Sequence, residues 1–180
     1  MNPFVQQTNA GNDFLGRLRD GKPTLVLGIR GGRGTDIVRV AHSTGHHAIL
    51  VDLEHSTMSF DAAAGMCSLA ADLGVMPLVR TPEREYGAIG RLLDGGALGI
   101  VAPRIETAEE ALAVVQACRF PPRGHRSQLA SVPALGMRPT PAAVLNPTLD
   151  AATVVQIVLE TPLGISNADE IAALDGVDML

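Results

Sequence analysis

Tryptophan is absent from this 180-residue chain, and only one tyrosine and four phenylalanines are present. Proteins that hold single-stranded nucleic acid stack bases on aromatic rings, so this shortage argues against such a role. Positive charge is also short: 14 Lys and Arg stand against 19 Asp and Glu, a formal net charge of -5. A nucleic-acid partner calls for a basic face, and none is expected here. No apolar run approaches the roughly 18–20 residues that a membrane span needs, so no membrane partner is expected either. The start of the chain, Met1-Asn2-Pro3-Phe4-Val5-Gln6, lacks the charged and apolar regions of a signal peptide. Cysteine is scarce. Cys67 and Cys118 lie far apart in apolar, helix-like stretches and read as reduced core thiols. These absences predict a cytoplasmic protein without disulfides.

What is present is apolar and periodic. Hydrophobic residues make up 46% of the chain and charged ones 18%, the balance of a globular domain. No internal boundary is evident, so residues 1–180 read as a single domain. Short apolar runs alternate with amphipathic ones. Strands are predicted at 24–29, 48–53, 75–79, 99–102 and 154–159, with a sixth starting at 177. Helices are predicted at 36–43 with Thr35 as N-cap, 59–73 ended by Gly74, 85–93, 108–118 and 167–173. The Pro- and Gly-rich stretch from Phe120 to about Asp150 reads as one long functional loop. This repetition implies a parallel α/β sheet, either doubly wound or part of a (β/α)8 TIM barrel. Chemistry-bearing residues at several strand ends favour the barrel, with about six of its eight units accounted for.

The run Ile49-Leu50-Val51-Asp52-Leu53-Glu54-His55 carries the strongest site signal. A buried parallel strand reads as continuous Val, Ile and Leu, and ligands gather where such strands end. His55 beside two carboxylates is a candidate general base, since imidazole titrates near neutrality and a carboxylate can fix its tautomer. Arg80 ends the next apolar run and suits a carboxylate or enolate. Glu160 ends Val154–Leu159 and is a candidate ligand for a hard divalent cation. Phe120-Pro121-Pro122-Arg123-Gly124-His125-Arg126-Ser127 joins a stiff backbone to two arginines that could hold an anion. Asp94, before Gly95-Gly96, reads alone as a turn former. Arg30-Gly31-Gly32-Arg33-Gly34 lacks the spacing of a phosphate loop and reads as a flexible loop over the site mouth. His46 and His47 are adjacent at a strand entrance, so they point apart at the wrong end for a metal pair.

Taken in order, these segments resemble the HpcH/HpaI aldolase family of metal-dependent class II pyruvate aldolases. The resemblance rests on Val51-Asp52-Leu53-Glu54-His55, Pro77-Leu78-Val79-Arg80, Leu92-Leu93-Asp94-Gly95-Gly96-Ala97 and Val101-Ala102-Pro103-Arg104, then on the Pro121-to-Arg126 segment, Leu159-Glu160-Thr161 and Gly176-Val177-Asp178. It implies a TIM barrel and a homo-oligomer, a hexamer in the family. It implies a lyase joining or separating a 2-oxo acid such as pyruvate and an aldehyde. It further implies a divalent cofactor, Mg, Mn or Co, held by Glu160. Arg80 would contact the pyruvate and the developing enolate oxygen, with Glu54 and Arg126 also on the substrate. His55 would be the base with Asp52 nearby, and Asp94 would reach the histidine of a neighbouring subunit.

Three departures stand out. Val158 replaces a glutamine that the family often carries two residues before the glutamate ligand, and Ser127 replaces a frequent glycine. The family's second metal carboxylate lies beyond the Gly-Val-Asp motif, past Leu180. The expectation is therefore a barrel incomplete at its C-terminus, a piece of a longer aldolase. Two alternatives remain at this point: a decarboxylase or citrate-lyase-like acyl-CoA lyase on the same barrel, and an inactive fragment lacking the second ligand.

Overall fold

The computed structural model describes residues 5–180. Five strands form one sheet: β1 (Val26–Ile29), β2 (Ala48–Asp52), β3 (Met76–Arg80), β4 (Gly99–Ala102) and β5 (Val154–Ile157). All neighbours are parallel, and spatial order follows chain order. A doubly wound sheet reverses its order at a switch point. This sheet never reverses, so it winds one way, as the wall of a (β/α)8 barrel does. A single parallel bridge, Gln156 to Met179, extends it one step further. The sixth strand expected from Val177 is present as that bridge alone.

The helices are α1 (Val5–Arg19), α2 (Asp36–Ser43), α3 (Phe60–Asp72), α4 (Tyr86–Asp94), α5 (Ala108–Cys118), α6 (Ala142–Ala152), α7 (Pro162–Ser166) and α8 (Ala168–Ala172). Strand alternation sorts the apolar residues into two cores. Ile49, Val51, Val79, Ile100, Ala102, Val155 and Ile157 pack with buried residues of α3, α4 and α5. Ala48, Leu50, Met76, Leu78, Val101, Val154 and Val158 face the other way, with Phe14, Phe120, Leu145 and Leu149. Burial on both faces explains why these strands read as unbroken apolar runs. The parity of the second set also runs through Asp52, Arg80 and Glu160, so all three belong to the inner face.

Several sequence expectations need correction. The stretch after Phe120 is not one loop: it contains a 3-10 turn at Pro133–Leu135 and the helix α6. Pro141 and Pro147 hid α6, although Leu145, Leu149 and Ala152 are buried at helical spacing. The helix expected at 167–173 is present as α8, and a further short helix, α7, not expected, precedes it and meets it at Asn167. Thr35 makes no side-chain cap, because it already has helical dihedrals. Ser59 and Thr107 are true caps, accepting from the backbone N–H of Ala62 and Glu110. Gly74 ends α3 at φ +72°, a left-handed conformation that glycine adopts without strain. Helix α1, not expected, buries Ala10 and Phe14 against the first residues of β2 and β3. Among the described residues, no helix is long and apolar enough to cross a membrane.

Candidate active site

Asp52 and Arg80 are the last residues of β2 and β3 and are register partners. Arg80 Nε donates to Asp52 Oδ1 at 3.1 Å, and Nη2 donates to Oδ2. The backbone N–H groups of Glu54 and His55 also donate to Asp52 Oδ1, each at 3.1 Å. The main chain after β2 thus wraps around one buried carboxylate, 3% exposed. Ser56 closes the turn by donating its hydroxyl to the Asp52 carbonyl. Arg80 Nη1 lies 3.3 Å from Glu54 Oε2, and His55 Nε2 lies 3.6 Å from the same oxygen. Glu54 therefore links the fixed cation to the imidazole, whose side chain is 60% exposed to the mouth.

The electrostatics follow from these contacts. Burial alone would raise the Asp52 carboxyl. The hydrogen bond and charge of Arg80 and the two backbone N–H groups outweigh it and hold the group below the ordinary carboxylate range. The hydrogen bond to Asp52 raises Arg80 further, against the opposing effect of burial, helped by the charges of Asp52, Glu54 and Glu160. Glu160 is exposed just past β5 and within electrostatic reach of Arg80. Four of the expected residues, Asp52, Glu54, His55 and Arg80, thus meet at the carboxyl end of the sheet, and Glu160 faces them.

Asp94 and Arg126 do not join them within this chain. Asp94 is the last residue of α4, which runs back from the mouth for nine residues, roughly 13 Å. It pairs with Arg126 at 3.0 Å. The Arg126 side chain is 2% exposed and lies over the Phe120 ring, 4.7 Å from its centroid. Arg123 faces Asp175 at 3.3 Å, so both arginines of the proline-rich segment have aspartate partners. Asp178 accepts from the Val155 N–H at 2.9 Å and faces buried Arg119 at 3.4 Å, at the start of β5 and away from the mouth.

The two histidines at the β2 entrance are accounted for locally. His47 Nδ1 accepts from the Leu25 N–H at 3.0 Å, and His46 Nδ1 lies 2.9 Å from the Thr44 hydroxyl. Burial, then Arg17 and His46, lower His47 below the ordinary histidine range. Cys67 and Cys118 are free and buried, and burial pushes both thiols up to about 12.

Sequence reasoning missed the structural use of Asp52, which holds Arg80 and caps its own loop. The signal was available in the spacing: an Asp followed by N–H groups two and three residues on is an Asx turn.

The sequence pattern of the family described as HpcH/HpaI aldolase/citrate lyase matches residues 31–180. The chain is 39% identical over 171 residues to the 4-hydroxy-4-methyl-2-oxoglutarate aldolase of Chaetomium globosum, covering 94% of this chain and 64% of that protein. It is 35% identical over 138 residues to the hydroxypyruvate/pyruvate aldolase of Roseobacter denitrificans, covering 76% and 53%. It superposes on the crystal structure of an HpcH/HpaI aldolase from Desulfitobacterium hafniense with a TM-score of 0.83 and 28% identity, over 90% of this chain and 62% of that one. The chain thus matches between about half and just under two thirds of the length of these three proteins.

Proposed function

The chain belongs to the HpcH/HpaI aldolase/citrate lyase family, and from that premise we propose that it cleaves and forms the C3–C4 bond of 4-hydroxy-2-oxo acids. The products of cleavage are pyruvate, or a related 2-oxo acid, and an aldehyde or second carbonyl compound. The observation that carries this reading is Arg80, locked by Asp52 and Glu54 at the strand ends with His55 beside them. The relatives' names support it: one acts on 4-hydroxy-4-methyl-2-oxoglutarate, another on hydroxypyruvate and pyruvate.

Arg80 presents fixed positive charge where the 2-oxo oxygen gains electrons as the bond breaks. Its orientation is set beforehand, so little reorganisation is needed at the reacting moment. His55 takes the proton of the 4-hydroxyl, whose oxygen becomes the carbonyl of the departing half. The C3–C4 electron pair stays with the pyruvate half. Asp52 positions both partners, through Arg80 on one side and the His55 N–H on the other.

A divalent cation fits the donor chemistry in part. Glu160 offers an exposed carboxylate on the inner face, and hard cations such as magnesium accept one or two protein carboxylates together with substrate and water oxygens. Among the described residues, no group of three or more His, Cys, Asp or Glu is placed to hold an ion. Glu160 is therefore the one ligand we assign. When bound, Mg, Mn or Co would supply a Lewis acid to the carboxylate and 2-oxo oxygens of the substrate. We further propose a homo-oligomer, with Asp94 serving a neighbouring copy. Two buried free thiols support a reducing compartment, the cytoplasm.

The test is release of pyruvate from 4-hydroxy-2-oxo acids by the product of the complete coding sequence, read by coupling to lactate dehydrogenase. Metal-dependent pyruvate formation supports the reading. No pyruvate with Mg, Mn or Co overturns it.

A further inference from the structure

Among the arginines at the mouth, two have no carboxylate partner among the described residues. Arg30 and Arg33 lie in Arg30-Gly31-Gly32-Arg33-Gly34, between β1 and α2. Ile29 pairs in register with Val51, as Asp52 does with Arg80. Arg30, one residue past Ile29, therefore stands level with Asp52 and Arg80. Leu27 and Ile29 pack on the helix side, so alternation assigns position 30 to the inner face.

Partner chemistry separates these two from the other arginines of the mouth. Arg80 has Asp52 and Glu54, Arg84 has Glu106 and Glu110, and Arg104 has Glu83. Arg30 is exposed and, among the described residues, makes no hydrogen bond or ion pair. Among the described residues, Arg33 meets neutral oxygens alone: its Nη2 donates to Thr57 Oγ1 at 3.0 Å and to the Thr57 carbonyl at 3.4 Å. Thr57 is two residues past His55, so this contact ties the arginine loop to the segment that carries the imidazole.

We propose that Arg30 and Arg33 are the specificity-determining pair that clamps a carboxylate on the half of the substrate beyond C4, a group that the 4-hydroxy-4-methyl-2-oxoglutarate of one relative's name also carries. This rests on the aldolase reading. With the 2-oxo acid end on Arg80 and the 4-hydroxyl on His55, the departing half lies against the β1–α2 loop. Two guanidinium groups there offer forked donors that match a carboxylate. No protein carboxylate has to be displaced first. The loop has room to adjust, since a Cβ added at Gly31 or Gly34 would meet nothing within 4 Å.

The experiment compares two substrates in the product of the complete coding sequence. 4-Hydroxy-2-oxoglutarate carries the second carboxylate, and 4-hydroxy-2-oxopentanoate has a methyl in its place. Arg30→Gln and the Arg30→Gln/Arg33→Gln double variant should lose about ten- to hundredfold in kcat/KM on the diacid, mainly through KM, as expected for a lost charge-assisted bond. On the methyl substrate both should match wild type. Inhibition by oxalate, which mimics the pyruvate half, should be unchanged. Arg39→Gln, at an exposed position on α2, should alter neither substrate. Equal losses on both substrates, or no loss on the diacid, would overturn the clamp while leaving the aldolase reading intact. If wild type releases pyruvate from neither substrate, the aldolase reading fails and the clamp fails with it.

Discussion

Asp52 and Arg80 face each other across β2 and β3 as the last registered pair of that ladder, joined by two guanidinium-to-carboxylate hydrogen bonds. Asp52 accepts four hydrogen bonds in all, two from Arg80 and two from the backbone of Glu54 and His55. Three of these fall on Oδ1 and one on Oδ2, and the residue is only 3% exposed, so the carboxylate is committed to Arg80 and to its own loop. These contacts hold Arg80 and fold the His55 loop, which is why the base role proposed here is given to His55 and a positioning role to Asp52.

Asp52→Asn should therefore lower both stability and activity. Breaking one side of a buried ion pair strands the other charge. Arg80 retains some solvent contact, so the loss should be on the order of 2–3 kcal/mol, below a fully buried pair. The pH dependence has a definite sign. The folded carboxyl sits below its ordinary range, so its contribution is complete above the unfolded value near 4 and disappears as pH falls through the folded value. Wild type should lose Tm on acidification below about pH 4, and Asp52→Asn should show less of that loss. Parallel Tm-versus-pH curves for the two proteins would contradict the assignment.

Glu160→Gln should remove metal-dependent activity while leaving the fold unchanged. Glu160 is exposed, and the neighbouring cap at Thr161 uses the threonine hydroxyl and not the glutamate. The substitution keeps size and removes only the charge that a hard cation needs. The paired readings are pyruvate release with added metal and the thermal midpoint. Retained activity would refute the ligand assignment.

Legibility varied along the chain for physical reasons. The strands were readable because burial on both faces leaves unbroken apolar runs. Asp52, Glu54, His55 and Arg80 were readable because they interrupt those runs where strands end. Helix α6 was not, since prolines at 141 and 147 imitate a loop while Leu145 and Leu149 carry the packing. The pairing of Arg126 with Asp94 was not readable either, because it joins residues 32 apart in sequence. Spacing reveals local contacts, whereas that pair exists only once α4 and the proline-rich segment are packed together.

Gly124→Ala should destabilise the protein without touching the mouth. A Cβ at Gly124 would collide with the carbonyl oxygens of Gln116 and Arg119 at the end of α5. These carbonyls also accept from the N–H groups of His125 and Arg126, both at 2.9 Å, so they cannot move aside without breaking those bonds. The loss should be about 1–3 kcal/mol, the usual range for overpacking. A denaturant midpoint equal to that of wild type would contradict this.

Asp94 should act in a neighbouring copy, and mixing two inactive variants tests this directly. Asp94 lies at the far end of α4 from Arg80, so a copy cannot bring its own Asp94 to its own His55. Asp94→Asn alone should abolish most activity, and so should Glu160→Gln alone. In a mixed oligomer, a site built on an Asp94→Asn chain keeps its own Glu160 and can receive Asp94 from a Glu160→Gln partner. Co-refolding or co-expression of the two variants should therefore restore part of the pyruvate release. If Asp94 served its own chain, every site in the mixture would still lack one essential group and the mixture would stay inactive. The Asp94→Asn protein also leaves the buried Arg126 without its anion, so its Tm must be measured alongside. Restoration on mixing separates a missing chemical group from a merely weakened subunit, because a partner's Asp94 can replace the first but does not restore Arg126's own ion pair.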